Sequence, residues 1–419
     1  MNQPVAHTVI TTALLRYGLS LGAATALLTG CGGSQLPLSA SPQGMSPQQS
    51  DATTSYQVLH TFGGSGGDGL SPFADLINVK GTLYGTTVGG GSNGTGTVFS
   101  ISTSGEETVL HSFGAPNDGT NPTARLLNVN GTLYGTTSAG GANGGGTVFS
   151  MSLDGREKVI HNFDYPYSFP QSGGVIPEAG LINVNGTLYG TTSQGGAVVC
   201  GGDGYYCGTV FSITRSGNEF KVLHSFGKKT YDGQTPYAPL LNVNGILYGT
   251  TTSGGTNGRG TVFSITPAGK ERVVYSFGSS SYDGTTPFSA LIDVGGVLFG
   301  TTSTSGAGHG GTVFSITTNG RLTTIHNFKG SNGSAPLADL YSLKGVLYGT
   351  TSAGGANNLG TVFRLTKVSK AMVLYSFTDG SGQEPRAGLT AIGGTLYGTT
   401  FGAKIGSIQN YGNVFSITP

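Results

Sequence analysis

One phrase dominates this chain: Gly-Thr-Leu-Tyr-Gly-Thr-Thr, with small substitutions, begins at Gly81, Gly131, Gly186, Gly245, Gly296, Gly345 and Gly394. Seven copies at a period of about 50 residues mean that one small unit is built seven times, so the 419 residues need not divide into two or three unlike domains. Across a glycine-rich loop each copy is followed by Gly-Thr-Val-Phe-Ser-Ile or a near variant, with its phenylalanine at Phe99, Phe149, Phe211, Phe263, Phe314, Phe363 or Phe415. A short apolar run such as Leu76-Ile77-Asn78-Val79 precedes each copy. A fourth segment, typified by Val109-Leu110-His111-Ser112-Phe113, completes the unit.

All four segments are short, rich in β-branched and aromatic residues, and bounded by Asn-Gly, Lys-Gly, Ser-Gly or Asp-Gly, which is how strands joined by tight turns read. In chain order they are strands A (the Leu-Ile run), B (Leu-Tyr-Gly-Thr-Thr), C (Val-Phe) and D (Val-Leu-His). The A-to-B turn is Asn130-Gly131, Asn185-Gly186 or Asn244-Gly245 in its clearest copies, the dipeptide that best tolerates the positive φ of a two-residue hairpin. A lone four-stranded meander with two apolar faces would expose one of them, so the units must stack. Seven sheets closed into a ring cover every face, and the period and strand count match the propeller architectures. The chain also starts on a D-type strand, Val58-Leu59-His60-Thr61-Phe62, and finishes after a C-type strand, Val414-Phe415-Ser416-Ile417. The expected fold is therefore all-β: a seven-bladed β-propeller with four antiparallel strands per blade, closed by the N-terminal strand completing the last blade.

Lys and Arg total 20 against 19 Asp and Glu, so no basic field is available to gather phosphates, and nucleic acid is not an expected partner. Charged residues are 9% of the chain where about 25% is usual. The surface must be mostly Ser, Thr, Asn and Gly. Near the N-terminus, Arg16 precedes a small-residue apolar run from Tyr17 to Leu28 and then Thr29-Gly30-Cys31, which reads as a secretory signal too short to span a bilayer. A plainly cleaved signal, or an uncleaved anchor, with an incidental cysteine is the alternative. Residues 32 to 54, rich in Ser, Pro, Gln and Gly, cannot bury enough surface to order themselves and read as a tether.

Leu28-Thr29-Gly30-Cys31 resembles the bacterial lipobox, which implies cleavage before Cys31 and lipidation of that cysteine; Gly32 in place of an aspartate implies the outer membrane. The expected division is residues 1–30 as lipoprotein signal peptide, 31–54 as lipidated cysteine and flexible tether, and 55–419 as propeller. Membrane contact is expected through the lipid only, and the propeller is expected to be a monomer. The alternating Leu-Tyr-Gly-Thr-Thr, Gly-Thr-Val-Phe-Ser-Ile and Val-Leu-His-Ser-Phe phrases resemble, over residues 57 to 417, the GloVer tandem repeat of "choice-of-anchor" bacterial surface proteins. That resemblance implies display on the cell envelope by varied anchors, with no assigned chemistry. Strands A and B are also similar to kelch blades, but the tryptophan typical of kelch is absent, so the likeness speaks for architecture alone.

His60, His111, His161, His224 and His326 share one place in strand D, with Tyr275 and Tyr375 in the other two copies. Strand D is outermost, about 14 Å beyond strand A, and each blade points a different way, so these histidines cannot converge on one metal. Packing or edge pairing is the expected role, and no metal site is predicted. His309 is a lone loop histidine. Tyr84, Tyr134, Tyr189, Tyr248, Phe299, Tyr348 and Tyr397 read as inter-blade packing, with a carbohydrate-stacking stripe as the sharper alternative. No Gly-x-Ser-x-Gly elbow, P-loop or His-Glu-x-x-His occurs, and no catalytic residue is assigned.

Repeated residues specify the ring, whereas departures fall on loops that can specify function. Strand alternation puts the B-to-C and D-to-A loops on one face, with Asp68-Gly69, Asp118-Gly119, Asp232-Gly233 and Asp283-Gly284 in the latter as turn formers. As an alternative, such a rim of carbonyls and carboxylates could hold a calcium ion, but no EF-hand spacing supports it, and no cofactor is predicted. Blade three departs most. Its entering loop carries Asp164, Tyr165, Pro166, Tyr167, Ser168 and Phe169, and its B-to-C loop runs from Cys200 through Asp203, Tyr205 and Tyr206 to Cys207. Export and a seven-position spacing make Cys200–Cys207 a natural disulfide. Tyr165, Tyr167, Asp203, Tyr205 and Tyr206, with Asp232 and Asp283 beside Tyr231 and Tyr282, are the ligand-binding candidates; a loop stapled only for its own stability is the bland reading. The functional expectation is an envelope-anchored binding or scaffold module presenting a polar loop face to a glycan or an envelope protein. An enzyme acting on polysaccharide or a lactone, and a purely structural envelope protein, are the alternatives.

Overall fold

The computed structural model describes residues 54–419 except 64–65, 165–172, 201–206, 367–370, 403, 406–407 and 410. The described residues hold strands and turns and no helix, hence none long and apolar enough to cross a membrane. Seven sheets stand in the expected order A-B-C-D. In blade two these strands are Leu127–Val129, Thr132–Thr137, Thr147–Ser152 and Glu157–Asn162. In the last blade they are Thr390–Ile392, Thr395–Thr400 and Asn413–Thr418, and Ser55–Thr61 supplies the fourth, pairing antiparallel with Asn413–Thr418. The fold is a seven-bladed β-propeller closed between its first and last strands.

The A-to-B turns form because Asn130, Asn185 and Asn244 take φ of +54°, +52° and +51° ahead of glycines at +87°, +89° and +83°, the mirror-image turn that matches strand twist. Strand B ends in Thr-Thr for two separate reasons. The second threonine bonds across to strand C, as in Thr137 Oγ1 to Thr147 Oγ1 at 2.9 Å. The first reaches the next blade: Thr136 donates to the Ala179 carbonyl at 3.0 Å, Thr250 to Ser289 at 2.9 Å and Thr350 to Ala387 at 2.8 Å.

The core is divided among the seven junctions. Tyr84, Val98 and Phe113 of blade one, for example, close on Leu126, Leu133, Phe149 and Met151 of blade two. At every junction the phenylalanine that follows one strand D meets the strand-C phenylalanine of the next blade edge to face, from Phe62–Phe99 at 5.1 Å through Phe113–Phe149 at 5.2 Å to Phe377–Phe415 at 5.4 Å. The glycine inside Leu-Tyr-Gly makes room for this ring. A Cβ on Gly249 would stand 2.5 Å from Phe263 Cζ and 2.9 Å from Leu240 Cδ2, and the six equivalent glycines are as tight, at 2.7 Å or closer to their phenylalanine.

Two features depart from a plain four-strand meander. The segment after each Asp-Gly adds a short ladder to the extension of strand B, as in Gly119–Thr120 with Ala139–Gly140 and Gly233–Gln234 with Ser253–Gly254. Each strand D also carries a β-bulge one residue before its histidine or tyrosine, as between Val109 and His111 opposite Phe99 and Val98. The turn of the next blade packs there: a Cβ on Gly155 would meet the Leu110 carbonyl. Bulges re-aim the side chain that follows them.

Gly249→Ala is expected to cost about 1–3 kcal/mol, the range of an overpacked core, read from chemical denaturation. Adding Phe263→Leu in the same chain should recover part of that loss, because it shortens the side chain the new methyl strikes.

Candidate functional site

Strand A is the innermost strand, and the seven copies surround a central cavity of about 610 Å³ lined by Asp75–Asn78, Arg125–Asn128, Leu181–Asn183, Leu240–Asn242, Tyr341 and Leu389–Ala391. The residue before the leucine that leads into each strand A varies among the blades: Asp75, Arg125, Gly180, Pro239, Ala290, Asp339 and Gly388. The charged ones meet. Arg125 of blade two reaches across the ring to Asp339 of blade six, Nη1 to Oδ2 at 3.3 Å, and lies 3.9 Å from Asp75. Each aspartate also accepts a backbone N–H from the preceding blade, Asp339 from Ala290 at 2.6 Å and Asp75 from Gly388. Gly180 and Gly388 leave the space this needs, since a Cβ on the first would strike Arg125 and on the second the Asp75 carboxylate. Burial pushes the Asp75 carboxyl up, the Asp339 charge adds to the rise, and Arg125 opposes it. Two carboxylates and one guanidinium therefore plug the channel, already bonded to one another and to the backbone.

Two residues earlier in each blade lies a second variable position. It follows an invariant proline and precedes Ala or Ser: Phe73, Thr123, Glu178, Tyr237, Phe288, Leu337 and Arg386. Burial alternates through this stretch, with Pro72, Ala74 and Leu76 buried and Phe73 and Asp75 half-open, so the post-proline side chains share the side of the chain that carries Asp75 and Arg125. They form a ring about one i to i+2 step, roughly 6–7 Å, above the charged plug, on the face of the B-to-C and D-to-A loops. Two pairs of neighbours in this ring touch. Tyr237 and Phe288 stack at 4.7 Å with planes 17° apart. Arg386 lies over Phe401 at 4.3 Å and Phe73 at 5.7 Å, and pairs with Glu384 at 2.9 Å. Burial raises the Glu178 carboxyl to about 7, with Ser193 bonding to it in the opposing sense.

The turn that leads into this ring is strained in every blade. The residue before the proline, Ser71, Asn121, Ile176, Thr235, Thr286, Ala335 or Glu384, has φ between +50° and +59°. L-residues pay about 1–2 kcal/mol for that region, and β-branched ones avoid it. Bonds on both sides hold it. Asn121 donates its N–H to the Thr95 carbonyl of the preceding blade at 2.8 Å, while its own carbonyl accepts from Ser138 N at 3.1 Å and Oγ at 3.0 Å. Ile176 and Ala335 repeat the arrangement with Gly145 and Ser193, and with Gly310 and Ser352.

Of the residues singled out from sequence, Cys31, Tyr165, Tyr167, Asp203, Tyr205 and Tyr206 lie outside the described residues. Cys200 and Cys207 form a disulfide, with Cα atoms 5.3 Å apart, packed against Gly227 and joined to the core between blades three and four. Asp232 and Asp283 are buried, 2% and 4% exposed, and close their own loops. Asp232 accepts from Gly233 N, Lys228 N and His224; Asp283 accepts from Tyr275 Oη, Gly278 N and Ser279. Tyr231 and Tyr282 beside them are 54% and 64% exposed. The strand-B tyrosines pack between blades, Tyr84 and Tyr134 being 7% and 6% exposed. The two rings at the axis escaped the sequence reading, although alignment of the copies on the repeated proline displays both as variable columns beside a constant proline and leucine.

The description of one protein family, the Gloeobacter/Verrucomicrobia repeat, matches residues 43–202 and 197–415. No curated protein matches the chain. Among solved structures, a chain from a nidogen/laminin complex is 14% identical, covering 68% of this chain and 97% of its own, with a TM-score of 0.41. A protein whose description names a gluconolactonase is 12% identical over 88% of this chain and 92% of its own, with a TM-score of 0.43.

Two measurements check this geometry. Arg125→Met strips the charge from between Asp75 and Asp339 and should cost about 2 kcal/mol at pH 8, below the ~3–5 of a fully buried pair because Arg125 is partly open to the channel. The carboxyl of Asp75 is held up, so stability falls as pH rises through its titration; the variant's deficit should therefore be smaller at pH 5 than at pH 8. Cys207→Ser should lower stability by about 2 kcal/mol, the entropy of opening a short loop, and reducing agent, which should destabilise the parent, should leave the variant's stability unchanged.

Proposed function

The chain belongs to the Gloeobacter/Verrucomicrobia repeat family, and from that footing we propose that it is a binding module which takes a glycan at the mouth of its central channel. A repeat-built propeller of this kind fits a binding or scaffold module; the glycan and its place are our reading. One observation carries it: six residue types fill the post-proline position of the seven blades, while the proline before it is constant and the residue after it is always Ala or Ser. Packing demands explain repetition, and a position free of them that still carries Phe73, Glu178, Tyr237, Phe288 and Arg386 is explained by contact with something outside the fold. Aromatic faces suit the C–H side of a sugar ring, and a single carboxyl and guanidinium suit its hydroxyls. In this reading the lipid on Cys31 tethers the propeller to the envelope, with the mouth turned to the surrounding polysaccharide.

A catalytic reading, on polysaccharide or a lactone, draws on Glu178 alone, whose carboxyl near 7 lies in the range of a general acid. Asp75 and Asp339 do not assist it, because backbone N–H groups and Arg125 already occupy them.

A glycan array probed with the purified protein, with and without calcium, tests the proposal. A defined glycan class should bind, and Tyr237→Ala or Phe288→Ala should weaken it about tenfold, the worth of one lost aromatic platform. Product release from the bound glycan, abolished by Glu178→Gln, would instead establish the enzyme. No binding at all, or binding lost in Tyr205→Ala/Tyr206→Ala and untouched in Phe288→Ala, would sink the channel mouth as the site.

A further inference from the structure

Each junction between blades carries a second repeated constellation, at the outer edge. The bulge in strand D turns its histidine toward the following loop, where the Asp-Gly aspartate waits, and the first residue of the next blade's strand D completes the group. At three junctions these residues are His60, Asp68 and Glu107; His111, Asp118 and Glu157; and His224, Asp232 and Glu271, each with its ligand atoms within 4.8 Å of one another. His111 Nε2 is 3.0 Å from Asp118 Oδ2, His224 Nε2 is 3.2 Å from Asp232 Oδ2, and His60 Nε2 is 3.5 Å from Asp68 Oδ1. We propose that these three clusters are binding sites for a divalent transition cation of the zinc type, each stapling one blade to the next.

The glutamates carry the argument. The Glu271 side chain is 2% exposed, with Lys229 Nζ 3.5 Å from its Oε2 and its Oε1 buried without a hydrogen-bond partner; Oε1 of Glu107 and of Glu157 is likewise buried without one. A buried carboxylate aimed at a second carboxylate with no donor between them is costly. Burial and the facing aspartate hold Glu107 and Glu157 up to about 7. A cation between an imidazole and two carboxylates removes that cost. Imidazole nitrogen with carboxylate oxygen suits zinc and its neighbours, whereas calcium requires about six or more oxygens, more than two carboxylates offer. The aspartates are already aimed: Asp118 accepts from Gly119 N at 2.7 Å and Gly114 N at 3.1 Å, and Asp68 from Gly69 N at 2.7 Å and Gly63 N at 2.8 Å, and such backbone donors fix the direction in which a carboxylate faces a metal. Beside the third cluster Lys229, half exposed, stands 3.5 Å from Glu271 and must swing outward.

None of the other four junctions keeps the full set. His161 faces Phe220 in place of the glutamate and stacks on it at 4.0 Å; burial lowers this imidazole to about 4. Tyr275 replaces histidine and donates to Asp283, with Leu322 at the glutamate's place. His326 pairs with Asn332 and with the N–H of Ala371, and Tyr375 stacks on Tyr56. The glutamate occurs only where both histidine and aspartate precede it.

The full-length chain, stripped with chelator and titrated with zinc chloride, should take up three ions and melt at a higher temperature. Glu107→Gln, Glu157→Gln and Glu271→Gln, which keep the side chain's shape, should each remove one ion, and the triple variant should bind none and show no zinc-dependent melting shift. Asp118→Asn serves as a second single-site variant and should also lose one ion. Failure to bind zinc at a tenfold excess, the behaviour of clusters that hold only a proton, overturns the proposal. So does a triple variant that keeps the three-ion stoichiometry, which would place the zinc on other ligands.

Discussion

Seven edge-to-face phenylalanine pairs, one per junction, are the contact on which the ring depends. Each joins the end of one blade to the third strand of the next, with centroids 5.1–5.4 Å apart. Such rings bury large area at low entropic cost, about 1.5–3 kcal/mol for each side chain. They close only because a glycine of strand B lets the ring of its own blade's phenylalanine come close to the backbone. Glycine and phenylalanine thus constrain one another within a blade, and the phenylalanines constrain successive blades. The last junction is made by Phe377 and Phe415, bound through the sheet to Tyr56 and Val58, which ties the beginning of the propeller to its end.

Once the junctions hold the ring, other positions are released. Near the axis, strand A needs only its buried alanine and leucine to pack, so the alternate positions carry Asp75, Arg125 and Asp339 as a plug and the post-proline residues as a mouth. At the outer edge, the bulged strand D brings a side chain from one blade against the next. The two variable sets thus sit at two radii of one scaffold. The strained residue before each proline belongs to the same logic: two inter-strand bonds hold a left-handed backbone in place and set the direction in which the mouth residue leaves it.

The histidines illustrate what one sequence offers and what it withholds. Their regular spacing showed that they lie on separate blades and cannot meet, and in the structure they do not. Their partners were not legible, because Glu107 belongs to a different repeat from His60 and nearly fifty positions of chain lie between them. Asp232 and Asp283 read as turn formers from their glycines, and they do close turns; that Asp232 also faces a buried glutamate from the next blade is a fact of packing. Asp75, Arg125 and Asp339 are scattered singly through the chain, and only the curvature of the ring carries a residue of blade two to one of blade six.

The sequence by itself determined the fold class, the number of blades, the strand order, the hairpin turns and the closure, because each follows from local periodicity and from the need to cover two apolar faces. It determined the disulfide for the same reason, since both cysteines lie in one loop. The tertiary structure alone decided which side chains stand together: the plug, the aromatic mouth and the histidine, aspartate and glutamate clusters. Those neighbours come from different repeats, so their distances depend on how far each sheet is rotated about the axis and on a bulge that no residue type announces.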